Sequence, residues 1–291
     1  MSWMSFVFKA IKLYFLLWCG YVWFAGAIRG ENARQVRGPG YFSGSSSVNL
    51  VIAHPDDEVM FFSPTLMQLD NWLPNDVAIN VICFSKGVNV DGSIAGESRA
   101  RELKKSVSML IEHDRPVTVH QLDYKDGKDQ IWDLDSMVWD LKTLINPSKD
   151  YKRKDLLITF DEHGVSDHPN HIACHNAVHR LIEEEPLFMA YQLESHSTNV
   201  ILKYSFFARE IVKYFYNYCH QRIKGQTSLN KNMDVPYEYV LFNTHSEYIM
   251  AYATMLNAHE SQVVWFRYGW WFFSRLTYAN ELKLFKGQII N

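Results

Sequence analysis

Apolar positions along the chain fall into three regimes. The first is continuous. Residues 13–28 contain no charged side chain; Lys9 and Lys12 precede the run, and Arg29, Glu31, Arg34 and Arg37 follow it. The second is punctuated. Residues 48–53, 78–84, 116–122 and 156–160 are short apolar runs with the length and character of buried parallel strands. Between them the spacing turns helical. In 97–112, Leu103, Val107, Leu110 and Ile111 share one face with charges opposite, and 132–145 and 171–182 are similar. Strands alternating with helices predict an α/β fold, a Rossmann-like, mostly parallel sheet with helices on both faces. Ligands bind such sheets at the carboxyl ends of the strands. The third regime is aromatic: residues 265–273 hold three Trp, three Phe and one Tyr.

The first regime predicts one N-terminal transmembrane helix within residues 1–30. Sixteen helical residues span about 24 Å, somewhat less than the ~30 Å hydrocarbon core, and Lys12 and Arg29 can snorkel to reach across a thin bilayer. A cleaved signal peptide is the rival reading, with Ala25-Gly26-Ala27 as a small-residue cleavage site; a buried helix is the third. Basic residues are balanced across the segment, so charge does not set its orientation. No Asn-x-Ser/Thr acceptor occurs, Asn146 being followed by Pro147, which agrees with a cytosolic body. Residues 31–47, polar and ending in Ser43-Gly44-Ser45-Ser46-Ser47, read as a linker. Residues 48–291 then form a single α/β domain, whose aromatic end, 237–291, is a candidate for the membrane interface, with core packing as the alternative.

Composition narrows the function. The 291 residues are 47% hydrophobic and 21% charged, which excludes wholesale disorder. A net charge of −3 provides no basic footprint for nucleic acid. Four cysteines without a CxxC spacing make neither a disulfide scaffold nor a zinc ribbon. Aromatics reach 15%, with 9 Trp, concentrated towards the chain ends.

The chemistry sits after two of the predicted strands. Ala53-His54-Pro55-Asp56-Asp57-Glu58 packs one imidazole and three carboxylates at the end of the first. Such a density of negative charge is repulsive unless a cation is present. Pro55 stiffens the segment, so a divalent metal is the simplest resolution; an acidic helix cap is the bland one. After the fourth strand come His163, His168 and His171, and Pro169 is a favoured first-turn residue of a helix. His168 then precedes that helix and His171 lies in its first turn, so one can ligate while the other faces a substrate. His175 and His179, further along, read as ordinary core or surface residues. Zinc suits a mixed His and carboxylate set with one open position, and it equips a site to hydrolyse amides or esters. Ferrous iron uses similar ligands. No Gly-x-Ser-x-Gly elbow is present, and Cys83 falls in a predicted buried strand.

Residues 53–58, together with His168-Pro169-Asn170-His171, resemble the PIG-L/LmbE family of zinc-dependent sugar de-N-acetylases. Ser85-Lys86-Gly87, Gly96-Glu97-Ser98-Arg99 and Asp126-Gly127 fit loops of the same family, so the likeness covers most of 48–180. His259-x-Ser261-Gln262-x-x-Trp265-Phe266-Arg267 and Ser274-Arg275 resemble its eukaryotic branch. The resemblance implies a zinc ion on His54, Asp57 and His171, with Asp56 as general base and His168 as the electrophilic or acid histidine. Arg99 is a candidate substrate contact, or a partner of Glu102. Arg267 and Arg275 are candidate phosphate contacts, or solvated. Asn170 departs from bacterial relatives that carry Asp there, and Ser166 stands where some carry Tyr. That branch de-N-acetylates N-acetylglucosaminyl-phosphatidylinositol, the second step of glycosylphosphatidylinositol anchor synthesis. Its members sit in the endoplasmic reticulum membrane with the domain facing the cytosol. Rival functions are de-N-acetylation of another acetylamino sugar, a silent lipid-binding scaffold and, more distantly, a phosphoesterase.

Overall fold

The alternation of strand and helix is realised as one seven-stranded sheet. The computed structural model describes residues 3–87, 96–145, 154–196, 198–205 and 237–285, with 208, 212 and 216. The chain opens with helices α1 (Trp3–Trp23) and α2 (Ala25–Arg37). β1 (Ser45–Ile52) leads through the one-turn helix α3 (Asp57–Met60) and α4 (Ser63–Trp72) to β2 (Ala78–Ser85). Then follow α5 (Gly96–Leu110), β3 (Val117–Tyr124), α6 (Leu134–Leu144), β4 (Lys154–Phe160), α7 (Pro169–Glu184) and β5 (Met189–Leu193). The chain closes with β6 (Glu238–Phe242), α8 (His245–Ala258), α9 (Trp265–Phe273) and β7 (Ala279–Leu284).

The sheet order is β3-β2-β1-β4-β5-β7-β6. β1 to β5 pair in parallel, with Leu50 opposite Val81 on one side and Ile158 on the other. β7 joins β5 and β6 antiparallel. Strand order reverses between β1 and β4, and right-handed crossovers then send helices to opposite faces: α6 packs against α7, while α2 packs against α4 and α5 against α8. β1 is buried because both faces are covered; Val48, Leu50, Val51 and Ile52 are all sealed from solvent. The four strands and three helices expected from the apolar pattern are present, with no end moved by more than three residues. The antiparallel β6–β7 extension was not foreseen.

Residues 31–47 are not a linker. α2 runs to Arg37 and buries Asn32 and Val36, and Phe42 is sealed between Tyr191 and Tyr239 at ring distances of 5.7 and 4.6 Å. The polarity of α2 has a purpose a composition reading misses. Asn32 Nδ2 donates to Phe242 O (2.8 Å) and Asn32 Oδ1 accepts from Phe242 N–H (3.0 Å), while Gln35 Oε1 accepts from Val240 N–H (2.6 Å). Side-chain amides thereby satisfy the backbone of edge strand β6, which would otherwise offer an open edge. α1 is long and apolar enough to cross a membrane, and little of it is buried. Its C-terminal end is docked: Tyr21 is buried and donates to Asn243 O, and Trp18 meets the rings of Tyr248 and Tyr278.

Candidate metal and catalytic site

β1 and β4, the strands flanking the reversal, deliver the site at their carboxyl ends, where a crevice forms. The segment after β1 turns sharply. Asp56 adopts φ 117°, a conformation that costs a non-glycine residue of order 1–3 kcal/mol. Its N–H donates to Glu58 Oε2 at 3.0 Å. Glu58 Oε1 in turn accepts from Ser106 Oγ and pairs with His259 Nε2 at 2.6 Å. The strained turn is thus held from beneath by a fully buried carboxylate.

His54, Asp57 and His171 converge. His54 Nδ1 lies 3.2 Å from His171 Nε2, His171 Nε2 lies 3.3 Å from Asp57 Oδ1, and His54 Nδ1 lies 3.7 Å from Asp57 Oδ2. Asp57 Oδ2 accepts from the N–H groups of Ala53 and His54, which fixes the carboxylate against the strand end. Each imidazole is oriented by its other nitrogen. His171 Nδ1 donates to Gly164 O at 2.8 Å, and His54 Nε2 pairs with Asp126 Oδ1 at 2.9 Å. Both outer partners can hold the ring proton on the outer nitrogen when a cation takes the inner one, as metal-binding histidines require. Gly164 cannot carry a side chain: its φ is +54°, and a Cβ would stand 2.8 Å from His171 Cβ and from the Ile172 nitrogen.

His168 joins from the residue before α7. Its ring lies 4.9 Å from those of both His54 and His171, and donor nitrogens of the three fall within 4.8 Å of one another. Its Nδ1 accepts from the Asn170 N–H at 3.3 Å, capping α7 and placing the ring proton on Nε2. His54 and His168 titrate in opposite directions. Burial opposes the charge of His54, but Asp126 and Asp57 outweigh it and push its pKa up to about 10. Burial, reinforced by His171 and His54, pushes His168 down to about 4. Asp57 is held well below the usual carboxylate range by His171 and His54, against the effect of its burial.

Asp56 faces two arginines. Arg267 Nη2, from α9, is 2.9 Å from Asp56 Oδ2, and Arg99 Nη2, from α5, is 3.6 Å away. Arg99 is buried and also donates to backbone, from Nη1 to Gly87 O at 2.7 Å and from Nη2 to Pro55 O. It does not pair with Glu102, which accepts instead from the N–H and Oγ of Ser261. Arg275 is neither solvated nor at the site; it is buried against Glu281 at 3.0 Å. His175 is a satisfied core residue bonded to Phe160 O, and His179 is half-buried beside it.

Sequence reasoning named the converging residues but missed their supports. Asn170 is neutral where charge was looked for; the charge beside His54 comes from Asp126, while Asn170 Oδ1 lies 3.2 Å from the same nitrogen. The signal for Asp126 was its place at the end of the third strand. His259 stood in the segment that resembles the eukaryotic branch, but nothing local tied it to Glu58.

Residues 49–182 match the PIG-L family, described as GlcNAc-PI de-N-acetylase. The N-acetylglucosaminyl-phosphatidylinositol de-N-acetylase of Saccharomyces cerevisiae is 41% identical, over 96% of this chain and 95% of that one. The Bos taurus enzyme of the same name is 30% identical, over 92% and 93%. Among solved structures, N,N'-diacetylchitobiose deacetylase from Pyrococcus horikoshii superposes with a TM-score of 0.50 at 15% identity, covering 87% of this chain and 91% of that chain. The hydratase GalB from Pseudomonas putida scores the same at 12%, covering 84% and 98%, so the fold alone does not settle the reaction. Fold and site define an LmbE-like α/β protein with a His and carboxylate cluster at the switch point of its sheet. The chain belongs to the PIG-L family of de-N-acetylases.

Proposed function

We propose that the chain is a metal-dependent amide hydrolase that removes the acetyl group of N-acetylglucosaminyl-phosphatidylinositol. The products are acetate and glucosaminyl-phosphatidylinositol, the second step of glycosylphosphatidylinositol anchor synthesis. The 41% identity to the yeast relative of that name, across nearly the full length of both chains, supports the substrate. One geometric observation carries the chemistry: the close approach of His54 Nδ1, Asp57 Oδ1 and His171 Nε2 beside the Asp56 carboxylate.

Zinc fits this donor set. Bonds of about 2.0–2.2 Å in a tetrahedral arrangement separate neighbouring donors by roughly 3.3 Å, and two of the three separations are 3.2 and 3.3 Å. His54, Asp57 and His171 are the ligands. His168 is not, because its Nδ1 caps α7 and its Nε2 carries the proton. When bound, the ion supplies Lewis acidity to the acetyl carbonyl and to a water molecule.

Asp56 accepts the proton of the attacking water as the new C–O bond forms. Glu58 holds the Asp56 backbone, and Arg267 and Arg99 hold its carboxylate, so the base is presented in one orientation. His168 donates its Nε2–H to the carbonyl oxygen as that oxygen gains charge. The carbonyl then re-forms as the C–N bond breaks; the proton held by Asp56 passes to the leaving amine, with His168 assisting the transfer, and acetate leaves. Arg99 and Arg267 act on the substrate through Asp56. α1 anchors the chain to the endoplasmic reticulum membrane, with the domain on the cytosolic side.

The test is acetate release from N-acetylglucosaminyl-phosphatidylinositol by the purified chain. It is measured before chelation, after it, and after zinc is restored. Activity that disappears and returns is the expected result. A folded, zinc-loaded chain that releases no acetate would overturn the substrate assignment.

A further inference from the structure

α9 has two chemically different faces. The inner one belongs to the site: Arg267 reaches Asp56, Trp270 packs edge-on against Phe61 at 5.7 Å, and Trp271 is buried. The outer face is made of Trp265, Phe266, Tyr268, Gly269, Phe272 and Phe273, with no charge among them. Trp265 is 84% exposed, Phe266 56% and Tyr268 51%. A contiguous aromatic surface of this kind on a water-soluble face is a liability unless something covers it.

What covers it follows from the neighbouring helix. The rings of Phe272 and Tyr14 of α1 pack at a tilt with centroids 5.0 Å apart, so the aromatic face runs directly into the segment long and apolar enough to cross a membrane. Depth can be read along α1. The domain grips it at Tyr21, through Asn243, and α9 meets it at Tyr14. Seven helical residues correspond to about 10 Å. With α1 upright in a bilayer, α9 therefore lies about 10 Å further towards the hydrocarbon than the Tyr21 contact. Interfacial helices bury their apolar face by about 5–10 Å, and they favour Trp, Phe and Tyr.

We infer that α9 is an interfacial helix seated in the headgroup layer of a phospholipid bilayer, forming with α1 one continuous lipid-contacting surface. The wall of the active site that bears Arg267 is then the wall facing the lipid. A glycolipid reaches Asp56 and the His54, Asp57 and His171 cluster without leaving the membrane, a consequence that rests on the function proposed above.

The experiment uses the full chain, one copy per lipid nanodisc of phosphatidylcholine and phosphatidylinositol. Cys19 and Cys219 are replaced by Ser, and a spin label is placed by Phe273→Cys or, as control, by Ser108→Cys, an exposed position on α5. The label at 273 is expected to be at least fivefold more accessible to oxygen than to a water-soluble nickel chelate, relative to the control. A label at 273 as open to nickel as the control overturns the inference, and so does one shielded from both probes, which marks a protein partner or a second copy. A triple variant, Trp265→Glu with Phe266→Glu and Phe273→Glu, keeps its zinc content. It is expected to lose at least tenfold in turnover of glycolipid in bilayers while retaining turnover in detergent micelles. Equal turnover in both overturns the role in access. The label reports depth without any activity, so failure of the proposed reaction leaves its result intact.

Discussion

His259 Nε2 lies 2.6 Å from Glu58 Oε1, two fully buried side chains joined across 201 positions of sequence. Glu58 passes the restraint on, because its other oxygen accepts the N–H of Asp56. A residue in the last quarter of the chain thereby sets the backbone of the candidate base.

Among the described residues, removing His259 leaves the buried Glu58 carboxylate with only Ser106 and the Asp56 N–H. His259→Ala is expected to lower stability by about 3–5 kcal/mol. His259→Gln keeps a donor and retains the fold. Its kcat should fall by about 10²-fold, the cost of a base displaced by about 1 Å, with KM little changed. Steady-state kinetics at constant zinc content checks this; an unchanged kcat would remove His259 from the positioning of Asp56.

The same pair has a pH signature. Burial lowers the pKa of His259, but Glu58 outweighs it and the net shift is upward. A raised folded pKa contributes stability that is complete below the ordinary value of about 6.5 and fades as pH rises through the folded value. Thermal unfolding in detergent from about pH 6 to about pH 9 should show the gap between the parent chain and His259→Gln narrowing. A gap that widens would contradict the charge on His259.

Asp56→Asn removes the base and leaves the metal donors in place. Turnover should drop by about 10²–10⁴-fold while bound zinc, measured by atomic emission, stays at the parent level. Loss of both would move Asp56 into the metal set.

Asp126→Asn weakens the partner of His54 Nε2. Zinc affinity should fall about 10–100-fold, the usual effect of losing such an outer partner. His171→Ala should lose the metal outright. Competition with a chromophoric chelator measures both, and a parent-like affinity in either would refute that residue's place.

Gly164→Ala forces a side chain into φ +54° and against His171. It should cost about 1–3 kcal/mol and turn the His171 ring, lowering zinc affinity as well as Tm. A variant with parent values in calorimetry and metal binding would show that the glycine is dispensable.

Much of the site was legible because its members sit in two short segments. His54, Asp56 and Asp57 follow one strand, and His168 and His171 follow another. Strand, turn and helix are local consequences of residue type and spacing, so side chains at strand ends are placed once the strands are recognised. The apolar period also marked α1 and four of the five parallel strands; β5 was not among them. Tertiary structure decided the rest. Asp126, His259 and Arg267 reach the site from other elements, and no local rule relates residue 58 to residue 259. The polar face of α2 looked like a linker because its partner is the backbone of β6, and backbone groups leave no trace in composition. Arg275 and Arg267, alike in sequence and eight positions apart, ended in a buried ion pair and at the candidate base respectively. Packing alone separated them, because the free energy of a charge depends on what surrounds it and not on its identity.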